Sequence, residues 1–203
     1  MNEIVEPNYE YVILVDENNN ELGTARKSEV HQKETPLHRA FSCFIFNKDK
    51  QLLLQQRAKS KKTWPLIWSN SVCGHPKLNE SNENTVIRRS DDELGCKVKN
   101  IKEISDYRYK FSRYGVQENE ICPILVAQID SDLNLNKDEV EEIKWISWKD
   151  WLVEVEKEIE TLTDVPSDKG LGISNSLKYS EWCREETKIL QNNKEFQNWF
   201  KQI

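Results

Sequence analysis

The sequence predicts an α+β fold, and three observations lead to that class. Runs of branched and aromatic residues at 9–15 and 38–46 are typical of strands. Residues 84–94 carry the spacing of a helix and are followed by Gly95, a common residue just past a helix end. The 203 residues, 37% of them hydrophobic, suffice for one sizeable domain and are few for two. We therefore expect one domain over 1–203, built as an α+β or α/β sandwich.

The first part of the chain is predicted to form strands joined by turns. Thr35-Pro36 excludes a helix at that point, because proline lacks the amide hydrogen that a helix interior needs. The predicted order is a loose tail at 1–8, a strand at 9–15, a turn at 16–20, a mixed segment at 21–33, a strand at 38–46, a turn at 47–50 and a strand at 51–57 that completes a hairpin.

The stretch from Trp64 to Cys96 carries most of the candidate functional residues, and its first half ends at His75. This first half follows a basic loop at 58–63 and has the aromatic and branched residues of a strand. Because side chains alternate across a strand, Ser71, Cys73 and His75 are expected to share one face. A thiol and an imidazole would then point into the same space.

The elements after His75 are predicted from capping residues and from the spacing of apolar residues. Ser81 and Asn82 are suitable N-caps for the helix that ends at Gly95. The predicted order after it is strands at 98–109, 120–129 and 141–148, an amphipathic helix at 148–161, a loop at 166–172 and helices at 174–190 and 193–202, within a C-terminal helical segment over 174–203.

Composition narrows the class of protein. The net charge of −6 argues against a general electrostatic grip on nucleic acid, so an anionic ligand would need a local basic cluster. Five cysteines without a close C-x-x-C pair argue against a disulfide framework. The start of the chain lacks the pattern of a signal peptide, and no apolar run has the length of a membrane span. We expect a cytoplasmic enzyme or binding domain that uses neither nucleic acid nor a membrane.

The chain has three histidines, at His31, His38 and His75, and a pair of glutamates at Glu118 and Glu120. Two carboxylates that share a strand face repel each other unless a cation or a proton lies between them. Imidazole and carboxylate groups together suit Zn²⁺, Mn²⁺ or a similar ion. The alternative is an exposed acidic strand start with unrelated histidines, and spacing alone favours it slightly.

Other groups in this part of the chain also have two interpretations. Cys73 is either a buried structural thiol or a reactive group, and the polar residues beside it favour the second. The cations around the loop at 58–63 either face solvent or bind an anion. Arg89 and Glu93, four residues apart on the helix, are by themselves an ordinary surface pair.

From Gly74 onward the sequence resembles the Nudix signature, with Gly74, Glu80, Arg88, Glu93 and Gly95 in register. Three positions depart from it: Arg89 replaces a glutamate, Ser90 an aliphatic residue and Asp92 the first of two paired glutamates. A helix that binds Mg²⁺ for diphosphate hydrolysis has thus exchanged a carboxylate for a cation. The resemblance implies a Nudix-like α/β/α sandwich with a mixed central sheet and additional C-terminal helices.

With SVCGHP, ENEICP, TPLHRAF, RAKSKKTWP and DYRYKF, the pattern over residues 10–150 resembles the type I isopentenyl-diphosphate isomerase family. That resemblance implies interconversion of isopentenyl and dimethylallyl diphosphate by proton addition and removal. It implies the following site: metal ligands His31, His38, His75, Glu118 and Glu120; an acid/base pair Cys73 and Glu120 on opposite faces of the alkene; Tyr109 hydrogen-bonded to the glutamate; Mg²⁺ on Glu93; and diphosphate contacts from Lys27, Arg57, Lys61 and Arg89.

Two other functions remain open from the sequence. A Nudix hydrolase should have a metal-binding glutamate at position 89, whereas an isomerase tolerates an arginine there for phosphate. An inert diphosphate-binding protein would need neither Cys73 nor Glu120. One departure concerns substrate scope: the family expects a tryptophan facing the carbocation, and residues 169–176 contain no aromatic residue. We expect Trp182 to take that place through a shifted register.

Overall fold

The computed structural model describes residues 10–163 and 177–203. The predicted tail at 1–8, the loop at 166–172 and the stretch 169–176 lie outside the described residues. No helix among the described residues is long and apolar enough to cross a membrane.

The described chain forms twelve strands and five helices. The strands are β1 (Tyr11–Val15), β2 (Glu21–Arg26), β3 (His38–Arg39), β4 (Phe41–Phe46), β5 (Gln51–Arg57), β6 (Trp68–Ser69), β7 (Val72–Gly74), β8 (Val98–Ser105), β9 (Arg108–Arg113), β10 (Val116–Ile121), β11 (Ile124–Ile129) and β12 (Val140–Ser147). The helices are α1 (Lys27–Val30), α2 (Asn82–Leu94), α3 (Trp148–Thr163), α4 (Glu181–Asn192) and α5 (Lys194–Gln202).

The strands form two mixed sheets. One has the order β2-β1-β3-β10-β9, and the other has the order β12-β5-β4-β11-β8, with β6 paired to β5 and β7 paired to β4. The parallel pairs are β3 with β10 and β4 with β11, and the other strand pairs are antiparallel.

Two predicted strands each turn out to be two. Residues 38–46 divide at Ala40 into β3 and β4, and residues 120–129 divide at Cys122-Pro123 between β10 and β11. Where these two segments pass from one sheet to the other, they remain hydrogen-bonded to each other. Ala40 N donates to Ile121 O at 2.9 Å, and Ser42 N donates to Pro123 O at 3.1 Å. The two sheets are therefore joined at the same place by both segments, β3 to β4 and β10 to β11.

Helices cover both faces of the second sheet. On one face Val86 and Leu94 of α2 pack with Phe41, Ile45 and Leu125. On the other face, residues of α3, α4 and α5 pack against alternate residues of β4, β5 and β11. The expected α/β/α sandwich with additional C-terminal helices is confirmed.

The hairpin of β4 and β5 is splayed, and the polypeptide from 68 to 74 lies in the gap. The two strands pair directly at Phe46 and Leu52, and β7 and β6 pair with their diverging ends. Ser71 joins them: its hydroxyl accepts from Ile45 N at 2.7 Å and donates to Leu53 O at 2.6 Å. The predicted shared face was therefore wrong for Ser71, which is buried between the two strands rather than beside Cys73 in the cavity described below.

Other boundaries also differ from the prediction. Trp64 and Leu66 have positive φ angles of 46° and 60°, which a strand does not allow, so the strand prediction was wrong at 64–67. Residues 98–109 are interrupted after Ser105, and a hairpin of β9 and β10 turns at Tyr114-Gly115. Of the helix predicted at 174–190, residues 174–176 lie outside the described residues, 177–180 are not helical, and α4 begins at Glu181. Ser81 caps α2 as expected, accepting from Asn84 N at 3.2 Å.

Candidate active site

A cavity of about 480 Å³ lies where α1, β5, β7, α2, β9, β10 and α4 come together. All but one of the residues that the sequence selected line it: Lys27, His31, Arg57, Lys61, Cys73, His75, Arg89, Glu93, Tyr109, Glu118 and Glu120. The exception, His38, is fully buried and contacts His75 and Glu120 behind the cavity wall.

Three imidazoles and one carboxylate converge on a single point of this cavity. One ligand atom from each of His31, His38, His75 and Glu120 lies within 4.8 Å of the others. Nε2 of His38 is 3.2 Å from Nε2 of His75, and both nitrogens are 3.3 and 3.1 Å from Oε1 of Glu120. Glu118 joins the group from the side, with Oε2 2.9 Å from Nε2 of His31.

Backbone contacts orient two of the imidazoles. Nδ1 of His31 is 3.2 Å from the carbonyl of Lys27, the first residue of α1, and Nδ1 of His38 is 2.9 Å from the Pro36 carbonyl. A carbonyl oxygen only accepts, so each Nδ1 carries hydrogen and each Nε2 turns inward. This is the outer support that metal-binding histidines usually have.

The charges of the cluster fit a cation. Burial lowers the pKa of His75 to about 3, so its ring is neutral at pH 7 and offers a lone pair. Burial raises the pKa of Glu120, but His38 and His75 outweigh burial and hold that pKa well below its usual value. Two inward nitrogens 3.2 Å apart beside carboxylates form a donor set of the kind that holds a divalent ion.

Cys73 lies on the cavity wall in β7 as a protonated thiol. Burial, with the Glu186 carboxyl, raises the pKa of Cys73 to about 12. Its Sγ donates to Oδ1 of Asn70 at 3.1 Å and is 3.4 Å from Oγ of Ser42. The thiol is therefore held by two neighbours and keeps its proton at neutral pH.

Aromatic side chains form the wall between the thiol and the carboxylate. The Tyr109 hydroxyl donates a short hydrogen bond to Oε2 of Glu120, and burial raises the pKa of Tyr109 so that it remains a donor. The Trp182 indole is stacked on Tyr109 with 5.8 Å between ring centroids and 12° between planes. Trp182 thus lines the cavity.

The mouth of the cavity carries the expected cations, and each has a partner. Nζ of Lys27 is 2.6 Å from Glu10, and Lys61 forms a short ion pair with Glu139. Arg57 donates to the Thr63 carbonyl at 3.1 and 2.9 Å. These groups come from different parts of the chain and line the same cavity as the thiol, and the Arg57 guanidinium lies 6.0 Å from the centroid of the Trp182 ring.

Arg89 is a buried cation that lines the same cavity. Its guanidinium is 2.6 Å from Glu93 and 3.4 Å from both Glu10 and Glu139. Glu93 also accepts from Nε2 of Gln55 at 3.1 Å. The pair Arg89–Glu93 is therefore a buried element of the cavity, and its interpretation as a surface pair was wrong.

The other signature residues hold the loop before α2 in place. Arg88 donates to both carboxylate oxygens of Glu80 at 2.8 and 2.7 Å and to the His75 carbonyl at 3.1 Å. A side chain at Gly74 would meet Arg89 at 3.2 Å. These contacts therefore position His75 relative to the helix that carries Arg89 and Glu93.

Sequence reasoning missed four residues of the site: Glu10, Gln55, Asn70 and Glu139. Glu10 and Glu139 lie 79 and 50 residues from Arg89 in the chain, and nothing local marks them. Asn70 was visible only as a polar residue near Cys73. Its full burial and its contacts require the folded chain.

The NUDIX domain model matches residues 36–164. A curated protein of Kocuria rhizophila, named isopentenyl-diphosphate Delta-isomerase, is 45% identical over 149 residues, which are 72% of this chain and 83% of that protein. One of the same name from Citrobacter koseri is 47% identical over 138 residues, 67% of this chain and 76% of that protein.

Solved structures with low identity share the fold. The DR0079 protein of Deinococcus radiodurans has a TM-score of 0.62 at 16% identity, covering 89% of this chain and 98% of that chain. A MutT protein of Methanosarcina mazei has a TM-score of 0.54 at 18% identity, covering 77% of this chain and 94% of that chain.

Proposed function

The chain belongs to the Nudix superfamily and, within it, to the isopentenyl-diphosphate Delta-isomerases, and from this premise we propose how its residues act. The enzyme interconverts isopentenyl and dimethylallyl diphosphate, a small-molecule prenyl diphosphate pair in isoprenoid biosynthesis. We propose that residues 1–203 form a single catalytic domain and that the enzyme works in the cytoplasm, where its five free cysteines stay reduced.

One observation carries the proposed mechanism: Cys73 and Glu120 line the same cavity in complementary protonation states. Moving the double bond requires a proton added at one carbon and another removed two carbons away. Cys73 holds a proton and Glu120 does not, as the directions of their pKa shifts indicate. The pair therefore supplies one acid and one base, which is the combination the reaction needs.

The aromatic wall accounts for the stability of the cation between the two steps. The intermediate carbon has no heteroatom to share its charge, so water must be kept away and a π-face is favourable. Trp182 is buried and presents its ring to the cavity beside Tyr109. Tyr109 also holds Glu120 in place through its hydroxyl.

Lys27, Arg57, Lys61 and Arg89 bind the diphosphate. They all line the cavity, and a bound diphosphate would replace part of the contacts that Lys27, Lys61 and Arg89 make with Glu10 and Glu139. The diphosphate then serves as a handle that fixes the alkene between two groups that are too weak to act on it free in solution.

His31, His38, His75, Glu118 and Glu120 would hold one tightly bound divalent ion, Zn²⁺ or Mn²⁺. Such an ion lowers the proton affinity of the carboxylate it holds. Glu93 would hold Mg²⁺ that arrives with the diphosphate. The inward ring nitrogens and the neutral His75 support the first site.

Incubation with isopentenyl diphosphate and Mg²⁺ in D₂O tests the reaction class. We expect deuterium in the dimethylallyl product by proton and deuterium NMR, with both phosphates retained by phosphorus NMR, because the incoming proton comes from an exchangeable group. Phosphate release without isomerisation would indicate a Nudix hydrolase, and unchanged substrate would indicate an inert diphosphate-binding protein.

A further inference from the structure

Asn70 lies behind the cavity wall, fully buried, and its amide oxygen is shared by three donors. Oδ1 accepts from Sγ of Cys73 at 3.1 Å, from Nε1 of Trp182 at 3.3 Å and from Oγ of Ser69 at 2.9 Å. In the proposed reaction the thiol and the indole both face the alkene, with Glu120 on its other side. One oxygen atom therefore contacts both of them.

The amide is fixed from its other side. Nδ2 donates to the carbonyls of Cys43 and Val72, each at 3.2 Å. If the amide were turned by 180°, its NH₂ group would face three donors and its oxygen would face two carbonyls. The neighbours thus allow one orientation, and Asn70 cannot change its contacts without breaking five hydrogen bonds.

The contacts continue from the indole to the carboxylate. Trp182 stacks on Tyr109 with planes 12° apart, and Tyr109 donates to Glu120. A continuous frame therefore runs from Cys73 through Asn70, Trp182 and Tyr109 to Glu120. It fixes both members of the acid/base pair relative to one another, and Asn70 is its anchor on the backbone of β4 and β7.

We propose that Asn70 is a positioning residue that holds the Cys73 thiol and the Trp182 indole in one fixed arrangement beside the substrate. This inference rests on the proposed function for its kinetic consequence. None of the side chains proposed to bind the diphosphate takes part in the five hydrogen bonds of Asn70, so we expect Asn70 to act mainly on the reacting groups rather than on binding of the diphosphate.

Asn70→Ala tests the proposal by two measurements. We expect kcat to fall about 10²-fold, the cost of a small misplacement of reacting groups, and KM for isopentenyl diphosphate to stay within about threefold. We also expect alkylation of Cys73 by iodoacetamide to become about five- to tenfold faster, because the thiol loses a hydrogen bond that holds it. Peptide mass spectrometry locates the label; the other four thiols are buried.

Ser69→Ala is the matched control, since it removes a donor to the same oxygen without touching the thiol or the indole. It should change kcat and the alkylation rate by less than about threefold. A double-mutant cycle with Trp182→Phe should be strongly non-additive in kcat, because either change breaks the same frame. If Asn70→Ala does not fold, Asn70→Ser is measured in its place with the same expected values.

Wild-type kcat and wild-type alkylation in the folded Asn70 variant would overturn the proposal, as would a rise in KM with unchanged kcat. A wild-type protein that fails to isomerise would contradict the proposed function instead. The alkylation measurement would then still decide whether Asn70 holds the thiol.

Discussion

Cys73 differs from a free thiol because its environment favours the protonated form. An ordinary cysteine, with a pKa of about 8.5, is a few per cent thiolate at pH 7. Burial raises the pKa of Cys73 to about 12, which leaves almost no thiolate. The sequence identified the residue and its neighbours, but the state of the thiol depends on burial by residues that are distant in the chain.

Glu186 is an unusual ionisable residue near the site. It lies in α4, is fully buried, and neither of its carboxyl oxygens has a hydrogen-bond partner among the described residues. Burial raises the pKa of Glu186 well above its usual value; the nearby Ser42 hydroxyl works against this rise, and Glu120 adds to it. Burial therefore disfavours the ionised form of Glu186 in the folded protein.

Glu186→Gln should stabilise the protein, and the gain should grow with pH. Because the folded pKa is raised, the unfolded chain releases this proton near pH 4.5 while the folded chain keeps it. The contribution of Glu186 to stability is thus fully present below pH 4.5 and is lost as pH rises. Urea unfolding at pH 5 and pH 8 measures the free energy of unfolding. The difference in this free energy between the variant and the wild type should grow in favour of the variant by at most about 1.4 kcal/mol per pH unit.

The exposed carboxylate Glu156 in α3 provides the control for this measurement. Glu156→Gln should leave the difference from wild type the same at both pH values. A Glu186→Gln variant that is less stable than wild type at pH 8 would mean that the buried carboxyl is ionised and paired in the folded protein.

At the scale of elements, helix α2 was predicted well because its signals are local. Ser81 and Gly95 mark its ends, and the structure has the N-cap bond of Ser81 and a left-handed Gly95 with φ 58°. The α+β sandwich was also predicted from local patterns, the strand-like runs and the helical spacing. The divisions at Ala40 and at Cys122-Pro123 could not be predicted, because they depend on which sheet each half joins.

Gly95→Ala should destabilise the protein by about 3 kcal/mol or more. The left-handed backbone costs an L-residue about 1–2 kcal/mol, and a side chain at Gly95 would also lie 2.3 Å from the Asn134 carbonyl oxygen. Urea or thermal unfolding measures the loss. The loss should be accompanied by lower activity, because α2 carries Arg89 and Glu93.

Gly115→Ala separates the cost of the left-handed backbone from the cost of the contact with Asn134. Gly115 also has a positive φ, 77°, but a side chain there would have no atom within 4 Å. It should cost only the backbone term of about 1–2 kcal/mol. Equal losses for both variants would mean that contact with Asn134 is not what requires glycine at the end of α2.

At the scale of the whole molecule, the candidate metal site joins parts of the chain that nothing local connects. His31 ends α1, His38 is in β3, His75 follows β7, and Glu118 and Glu120 are in β10. These residues could be proposed together as ligands because the short motifs resemble a family. The carboxylates Glu10 and Glu139, which balance the cations, belong to no such motif and were missed.

Removal of the metal should destabilise the protein, because an ion that binds only the folded chain adds to its stability. Elemental analysis should find close to one Zn or Mn per chain. The combined variant His31→Ala/His75→Ala should lose that metal, and chelation of the wild type should lower its Tm by several degrees. Lys61→Ala lines the same cavity without joining the ligand cluster, so it should keep the metal. Metal-free protein with full activity and an unchanged Tm would contradict the five-ligand site.

The central claim is that a thiol and a metal-held carboxylate act on the alkene from opposite sides. The most direct measurement is the isomerisation rate of Cys73→Ala and of Glu120→Gln, with Cys96→Ala as a control thiol remote from the cavity. We expect each of the first two rates to fall by about 10²–10⁴-fold, the usual contribution of a general acid or base, and the control to stay near wild type. A near-normal rate in either Cys73→Ala or Glu120→Gln would contradict the claim.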